Sequence, residues 1–185
     1  DTVEGGKGND FIHGGEGNDV ISDSEGDDLI WGDAGDDLIN AGSGLDQVFG
    51  GDGNDTLYGG TESDVIEGGK GNDLIFGDNG SAPSVVGDLN GPDILAGGEG
   101  NDTIYGGGGD DGLDGGEGDD VLYGGAGADL MTGWFGDDRF VMDASDIGFG
   151  NAMDGGLGFD TVDYSASAGL GGGVGVTVNL VNLAP

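Results

Sequence analysis

The sequence predicts an all-β fold, a two-sheet solenoid with short strands and 18 residues per coil. Three observations predict it. A nine-residue pattern, written twice in "GGKGNDFIHGGEGNDVIS" from Gly5 to Ser22, recurs along most of the chain, and such internal periodicity is the signature of a repeat architecture. Most copies open on G-G-x-G, which favours a tight turn because glycine reaches backbone conformations closed to other residues. Each copy closes on a triplet whose central residue is apolar. Neighbours in a strand point to opposite faces, so the centre of each triplet points inward and its flanks outward.

Taken in order, units of the form G-G-x-G-x-D-x-U-x (U apolar) open at residues 5, 14, 23, 32, 41, 50, 59, 68 and 77. The ninth is interrupted by an insertion, Ser81 to Gly91, and resumes at "PDILA"; further units open at 97, 106, 115, 124 and 133, and an isolated one, "GGLGFDTVD", at 155. The fourteen tandem triplets carry Ile12, Ile21, Ile30, Ile39, Val48, Leu57, Ile66, Ile75, Leu95, Ile104, Leu113, Leu122, Met131 and Phe140 at their centres. One turn plus one strand makes half a coil. Seven coils at about 4.8 Å each predict a rod about 34 Å long. The expected organisation is a roll over residues 1–141 with residues 81–91 looped out from one edge, then a C-terminal flank or cap over 142–185 that holds the repeat at 155–163. The opening "DTVE" fits the end of an upstream unit, and "GVTVNLVNLAP" has no evident close, so a piece of a longer protein is expected.

Composition sets the problem this fold must solve. Among 185 residues are 49 glycines, 38 acidic residues and 3 basic ones, for a formal net charge of -35. Chains this charged and this rich in glycine ordinarily stay disordered. The charge repels nucleic acid and anionic membrane surfaces and favours cations. There is no cysteine, hence no disulfide and no thiolate metal site. No apolar run approaches the roughly 20 residues of a membrane span. One inward apolar side chain per nine residues is a thin core, so the turns need a further source of stability that tolerates carboxylates.

The sixth position supplies it. It is Asp in every unit: Asp10, Asp19, Asp28, Asp37, Asp46, Asp55, Asp64, Asp73, Asp93, Asp102, Asp111, Asp120, Asp129, Asp138 and Asp160. In a two-sheet solenoid, equivalent residues two units apart stack one strand spacing apart, and like charges at about 5 Å repel. A hard divalent ion between stacked turns turns that repulsion into binding. Calcium accepts 6 to 8 carboxylate and carbonyl oxygens in flexible geometry, whereas magnesium demands a stricter shell and keeps its waters. Zinc prefers His or Cys, of which the chain has one and none.

These units resemble the nonapeptide repeats of RTX proteins over about Asp1 to Val141 and again over Gly155 to Asp163. The resemblance implies a right-handed parallel β-roll with a calcium row along each edge. Each ion would lie between turns n and n+2, held by two sixth-position aspartates, the first pairs being Asp10 with Asp28 and Asp19 with Asp37. Carbonyls from positions one to four would complete the shell: those of Gly5, Lys7, Gly14, Glu16, Gly32, Ala34, Gly50, Asp52, Gly68, Lys70, Gly97, Glu99, Gly106, Gly108, Gly115 and Glu117. Fourteen units allow 14 − 2 = 12 such pairs, so about ten calcium ions and at most twelve are expected. The resemblance further implies secretion from a Gram-negative bacterium through type I secretion machinery, with a roll that is unfolded at low cytosolic calcium and folds outside. It implies flanking domains too, since serralysin-type proteases, lipases and alginate epimerases carry such rolls. Among the units that depart from the pattern, weakened or altered sites are expected at three: Asp23-Ser24 replaces the glycine pair of unit 3, Glu62 the fourth-position glycine of unit 7, and Trp134 the second-position glycine of unit 14.

Other residues carry less chemistry. Asn9, Asn18, Asn54, Asn72 and Asn101, at position five, suit turn formation. His13 is expected to face outward without a catalytic partner. Tyr58, Phe76, Tyr105 and Tyr123 should stack on one face, and Trp31 and Phe49 on the other. An alternative use of these ladders is a carbohydrate-binding or adhesive surface. Nucleophilic catalysis needs a base and an orienting group beside the nucleophile, and no such set is visible. Ice binding would need regular outward threonine ranks, whereas only Thr56, Thr103 and Thr132 take outward triplet positions in the array.

Overall fold

A computed structural model describes residues 1–79, 91–142 and 150–164, together with the strand Thr177–Asn179. The chain runs β1 Thr2–Glu4, β2 Phe11–Glu16, β3 Val20–Ser22, β4 Leu29–Ala34, β5 Leu38–Ser43, β6 Gln47–Asp52, β7 Thr56–Thr61, β8 Val65–Lys70 and β9 Leu74–Asp78. It continues as β10 Ile94–Glu99, β11 Thr103–Gly108, β12 Gly112–Glu117, β13 Val121–Ala126, β14 Leu130–Phe135, β15 Arg139–Val141, β16 Ala152–Asp154, β17 Thr161–Asp163 and β18 Thr177–Asn179. Odd-numbered strands form one nine-stranded sheet and even-numbered strands the other, each in sequence order. Every pairing is parallel, as between β2 and β4 or β3 and β5. That is the predicted solenoid: consecutive strands alternate between sheets, and two units close one coil. No helix among the described residues is long and apolar enough to cross a membrane.

The triplet centres make the core. Ile12, Ile30, Val48, Ile66, Leu95, Leu113, Met131 and Met153 lie in register down the even sheet. Ile21, Ile39, Leu57, Ile75, Ile104, Leu122 and Phe140 do so down the odd sheet. None of these is more than 6% exposed. Two files of side chains thus face each other through the length of the roll, each removing its apolar surface from water.

The strands are longer than the triplets alone. Most cover six residues, the triplet plus the first three residues of the next unit, and the turn residues themselves join the ladder, as in Asp33↔Gly51 and Gly51↔Gly69. The turns therefore stack in the same register as the strands.

Most of the predicted 81–91 insertion, residues 81–90, lies outside the described residues. On either side of it the register holds: Ile66 pairs with Leu95 and Ile75 with Ile104. Beyond Val141, where the sequence predicts a flank, both sheets continue, with Met131↔Met153, Phe140↔Val162 and Met153↔Val178 in register. The coil there is hard to see in the sequence because Asn151 takes the place of the sixth-position aspartate. It also stands 13 residues after Asp138 rather than nine.

Candidate metal centre

Turns opening at 5, 23, 41, 59, 77, 106 and 124 stack along one edge, which we call the first; those opening at 14, 32, 50, 68, 97, 115, 133 and 155 stack along the second. The structure gathers the sixth-position aspartates accordingly: Asp10, Asp28, Asp46, Asp64, Asp93, Asp111 and Asp129 on the first edge, Asp19, Asp37, Asp55, Asp73, Asp102, Asp120, Asp138 and Asp160 on the second. They are linked by hydrogen bonds. The backbone N–H of each aspartate donates to Oδ1 of the aspartate one coil on, as from Asp19 to Asp37 at 2.7 Å, Asp37 to Asp55 at 2.8 Å and Asp55 to Asp73 at 2.8 Å. The chain of bonds crosses the insertion unbroken, with Asp64 donating to Asp93 and Asp73 to Asp102. It ends on the first edge with Asp129 donating to Asn151 Oδ1 at 3.0 Å, and on the second with Asp138 donating to Asp160 at 3.1 Å.

The other carboxylate oxygen makes the site. Oδ2 of Asp10, Asp19, Asp28, Asp37, Asp46, Asp55, Asp64, Asp73, Asp93, Asp102, Asp111, Asp120 and Asp138 is buried and accepts no hydrogen bond. A buried acceptor without a donor is costly, and a charged one more so. Most of these oxygens border a main-chain carbonyl: those of Asp19, Asp37, Asp55, Asp64, Asp73, Asp93, Asp102, Asp111 and Asp138. A Cβ placed on Gly50 would lie 2.4 Å from Oδ2 of Asp55 and 2.5 Å from the carbonyl oxygen of Gly68. On Gly68 it would lie 2.4 Å from Oδ2 of Asp73 and 2.7 Å from the carbonyl oxygen of Gly97. The first-position glycine is there for space, not for its backbone angle: a methyl group would fill the cradle where two kinds of oxygen converge.

Among the predicted carbonyls, those of Gly32, Gly50, Gly68, Gly97 and Gly115 line these second-edge cradles, and that of Gly106 lines one on the first edge. Gly5 and Gly14 open their edges. Third-position carbonyls already accept one bond each: Ala34 from Gly17, Asp52 from Gly35, Lys70 from Gly53, Glu99 from Gly71 and Glu117 from Gly100, at 2.6–2.7 Å. A carbonyl has two lone pairs, so one remains. The carbonyls of Lys7, Glu16 and Gly108 occupy the same third position, paired across coils to Glu25, Ala34 and Ala126.

Electrostatics agree with the geometry. Burial pushes the carboxyl groups of Asp46, Asp73, Asp102 and Asp138 up to about 6 and those of Asp55, Asp64 and Asp120 to about 7. Asp93 and Asp111 reach about 8. Burial raises Asp28 and Asp37 as well; in most of these groups neighbouring carboxylates add to the rise, while the backbone N–H bond opposes it. Only protons or cations can relieve such rows.

The departures resolve differently from one another. Glu62 and Trp134 take the left-handed backbone their positions demand, with φ of 80° and 72°, and Asp33, at position two of unit 4, joins them at 76°. Asp23 turns its Oδ2 inward, buried and without a hydrogen-bond partner. Sequence reasoning marked Asp23 as a defect and missed it as a carboxylate of the site. It also missed Asn151, which the repeat spacing locates nine residues before Asp160.

The position-five residues do more than shape their own turns. Asn18 Oδ1 accepts the N–H of Asp36 at 3.1 Å, Asp36 Oδ1 that of Asn54 at 2.9 Å, and Asn54 Oδ1 that of Asn72 at 2.9 Å. This outer ladder runs opposite in sense to the aspartate ladder beside it. His13 stacks on Trp31 with ring centroids 4.5 Å apart, and its Nδ1 lies 2.9 Å from Asp33 Oδ2.

Fold and site together define a repeat solenoid that presents ranks of inward-facing acidic oxygens to hard cations. The family model for the RTX calcium-binding nonapeptide repeat (4 copies) matches residues 1–22, 13–48, 49–81, 89–122 and 113–140. The chain belongs to that family, and the roll is a calcium-binding module of the RTX type. A comparison with curated proteins finds no match.

Proposed function

We propose that this roll is a calcium-driven folding and secretion module of a larger extracellular protein, exported by type I machinery from a Gram-negative bacterium. The observation that carries the reading is the rank of buried aspartate Oδ2 atoms without a donor, most of them beside a main-chain carbonyl. Calcium supplies a hard positive centre that such oxygens can share. Ions lie between stacked turns, with the sixth-position aspartates and the first- and third-position carbonyls as ligands, about ten in all and at most twelve. The coupling to secretion is linkage: an ion that binds only the folded chain stabilises it by RT ln(1 + [L]/Kd) at each site. At low cytosolic calcium the carboxylates repel and the chain stays open for export; outside, it folds. Family membership supports the secreted location and the presence of further domains, which supply any enzymatic activity. The roll itself contributes none.

The alternative, a sugar-binding or adhesive face, is disfavoured by ring orientation. Tyr58, Phe76, Tyr105 and Tyr123 stack face to face, with centroids 4.8, 4.9 and 4.3 Å apart and interplanar angles of 3°, 8° and 12°. A sugar needs an open ring face, and both faces of Phe76 and Tyr105 are already covered by neighbouring rings. Far-UV circular dichroism during a calcium titration from a chelated start, with magnesium as control, tests the proposal. A cooperative coil-to-β transition with calcium alone is expected. A chain already folded in chelator, or one that never folds, would refute the linkage.

A further inference from the structure

The N-terminal end of the first edge is built differently from the rest. At most first-position glycines a carboxylate oxygen of the same unit and a carbonyl from one coil on close together. At Gly5 an added Cβ would instead meet Oδ2 of Asp23, the residue that replaces glycine at position one of unit 3. Carboxylate oxygens of Asp10, Asp23 and Asp28 all lie within 4.8 Å of one another. Asp23 is 6% exposed and Asp28 2%, and Oδ2 of each of the three is buried without a hydrogen-bond partner. The outward oxygens of two of them are occupied: Oδ1 of Asp23 accepts the N–H of Ser24, and Oδ1 of Asp28 accepts that of Asp10 at 2.7 Å. The Ser24 hydroxyl donates to the Gly6 carbonyl and ties the substituted turn to the coil below. What points inward from Asp23 and Asp28 is therefore the spare oxygen, and Oδ2 of Asp10 joins them.

We propose that Asp23 is a cation ligand, and that Asp10, Asp23 and Asp28 form a three-carboxylate site that binds calcium more tightly than the two-carboxylate sites elsewhere and prefers trivalent lanthanides over calcium. The inference rests on the reading that cations lie between stacked turns. Its physical basis is charge count. Affinity at oxygen-ligand sites rises with the number of carboxylates, and a third negative group within about 5 Å adds attraction that grows with the charge of the ion. A serine–aspartate pair that reads in the sequence as a broken repeat is then a gain, and the site fills first as calcium rises.

This makes a prediction opposite in sign to the repeat pattern. Restoring glycine with Asp23→Gly should weaken binding, although it perfects the repeat. The experiment is calorimetric titration of the full chain with calcium and, separately, with lanthanum. The variants are Asp23→Gly, Asp23→Asn, which keeps size and one oxygen but removes the charge, and Asp102→Asn on the second edge. Circular dichroism at saturating calcium confirms the same β content in each. The intact chain should show one site tighter than the others. That site should lose about tenfold or more in affinity, and most of its lanthanum preference, in both Asp23 variants, while Asp102→Asn keeps it and lowers capacity among the weaker sites. If Asp23→Gly or Asp23→Asn binds as tightly as the parent chain, the inference is overturned, and a lowered capacity in Asp102→Asn would leave the stacked-turn reading standing. Should Asp102→Asn also change nothing, that reading falls and this inference with it.

Discussion

At the scale of single residues, each unit assigns its glycines different tasks. Gly69, at position two, has φ of 112°, a region L side chains rarely adopt. Gly68, at position one, is outside that region and is held to glycine by the oxygens around it. Gly68→Ala should therefore leave the strands intact and put a methyl group into the cradle of Asp73 and Gly97. We expect the calcium midpoint of folding to rise about severalfold, read by circular dichroism, because one site is obstructed while the rest persist. Asp73→Asn acts on two sites at once. Oδ1 of Asp73 accepts the Asp55 N–H, its own N–H donates to Asp102, and its Oδ2 faces inward. Asn keeps the hydrogen bond and removes the charge. The midpoint should shift further than for Gly68→Ala; an unchanged midpoint would count against ions shared between consecutive turns.

At the scale of strands, the aromatic ladder on the odd sheet is the feature that ties coils together outside the core. Tyr105 lies between Phe76 and Tyr123, so Tyr105→Ala removes two stacked pairs. Each such pair contributes about 0.5–1.5 kcal/mol beyond area burial, so a loss of about 1–3 kcal/mol is expected. Thermal unfolding at saturating calcium should show it as a lower Tm with unchanged ion stoichiometry, because the ladder lies on the sheet face and the carboxylates on the edges. This ladder was legible in the sequence, since its members are spaced by whole coils of a period the glycines had already set. The aspartate rows and the triplet core were legible for the same reason. Other features were hidden for specific reasons. The pairing of turn residues, as in Gly51↔Gly69, depends on backbone geometry that a G-G-x-G string does not state. The steric duty of Gly68 exists only once the next coil is stacked on it. Asn151 escaped because two changes coincided, an aspartate lost and four residues gained, and either alone would have left the period visible.

At the scale of the whole molecule, the buried carboxylates couple folding to protons as well as to calcium, and the direction follows from which state holds the proton more tightly. An unfolded aspartate titrates near 3.8, whereas burial in the roll pushes Asp55, Asp64 and Asp120 to about 7 and Asp93 and Asp111 to about 8. The folded chain without bound cations therefore holds more protons than the unfolded chain between about pH 4 and 8. Its proton-linked stability is fully present below the unfolded value and is lost as pH rises through 6 to 8. In chelator, then, lowering the pH from 8 towards 5 should favour compaction. Calcium stabilises the same fold by a different route, because it needs those oxygens deprotonated. In the open chain the aspartates are already ionised above about pH 5, so calcium-driven folding from the coil at pH 7 should release few protons. Calorimetric titration at pH 7 in two buffers of different ionisation enthalpy measures that release directly, and nearly equal apparent enthalpies are expected. Because each coil contacts only its neighbours, the effects of individual sites propagate from coil to coil along the rod. A strongly buffer-dependent enthalpy would mean that the roll is already folded and protonated before calcium arrives, and would count against the coil as the starting state.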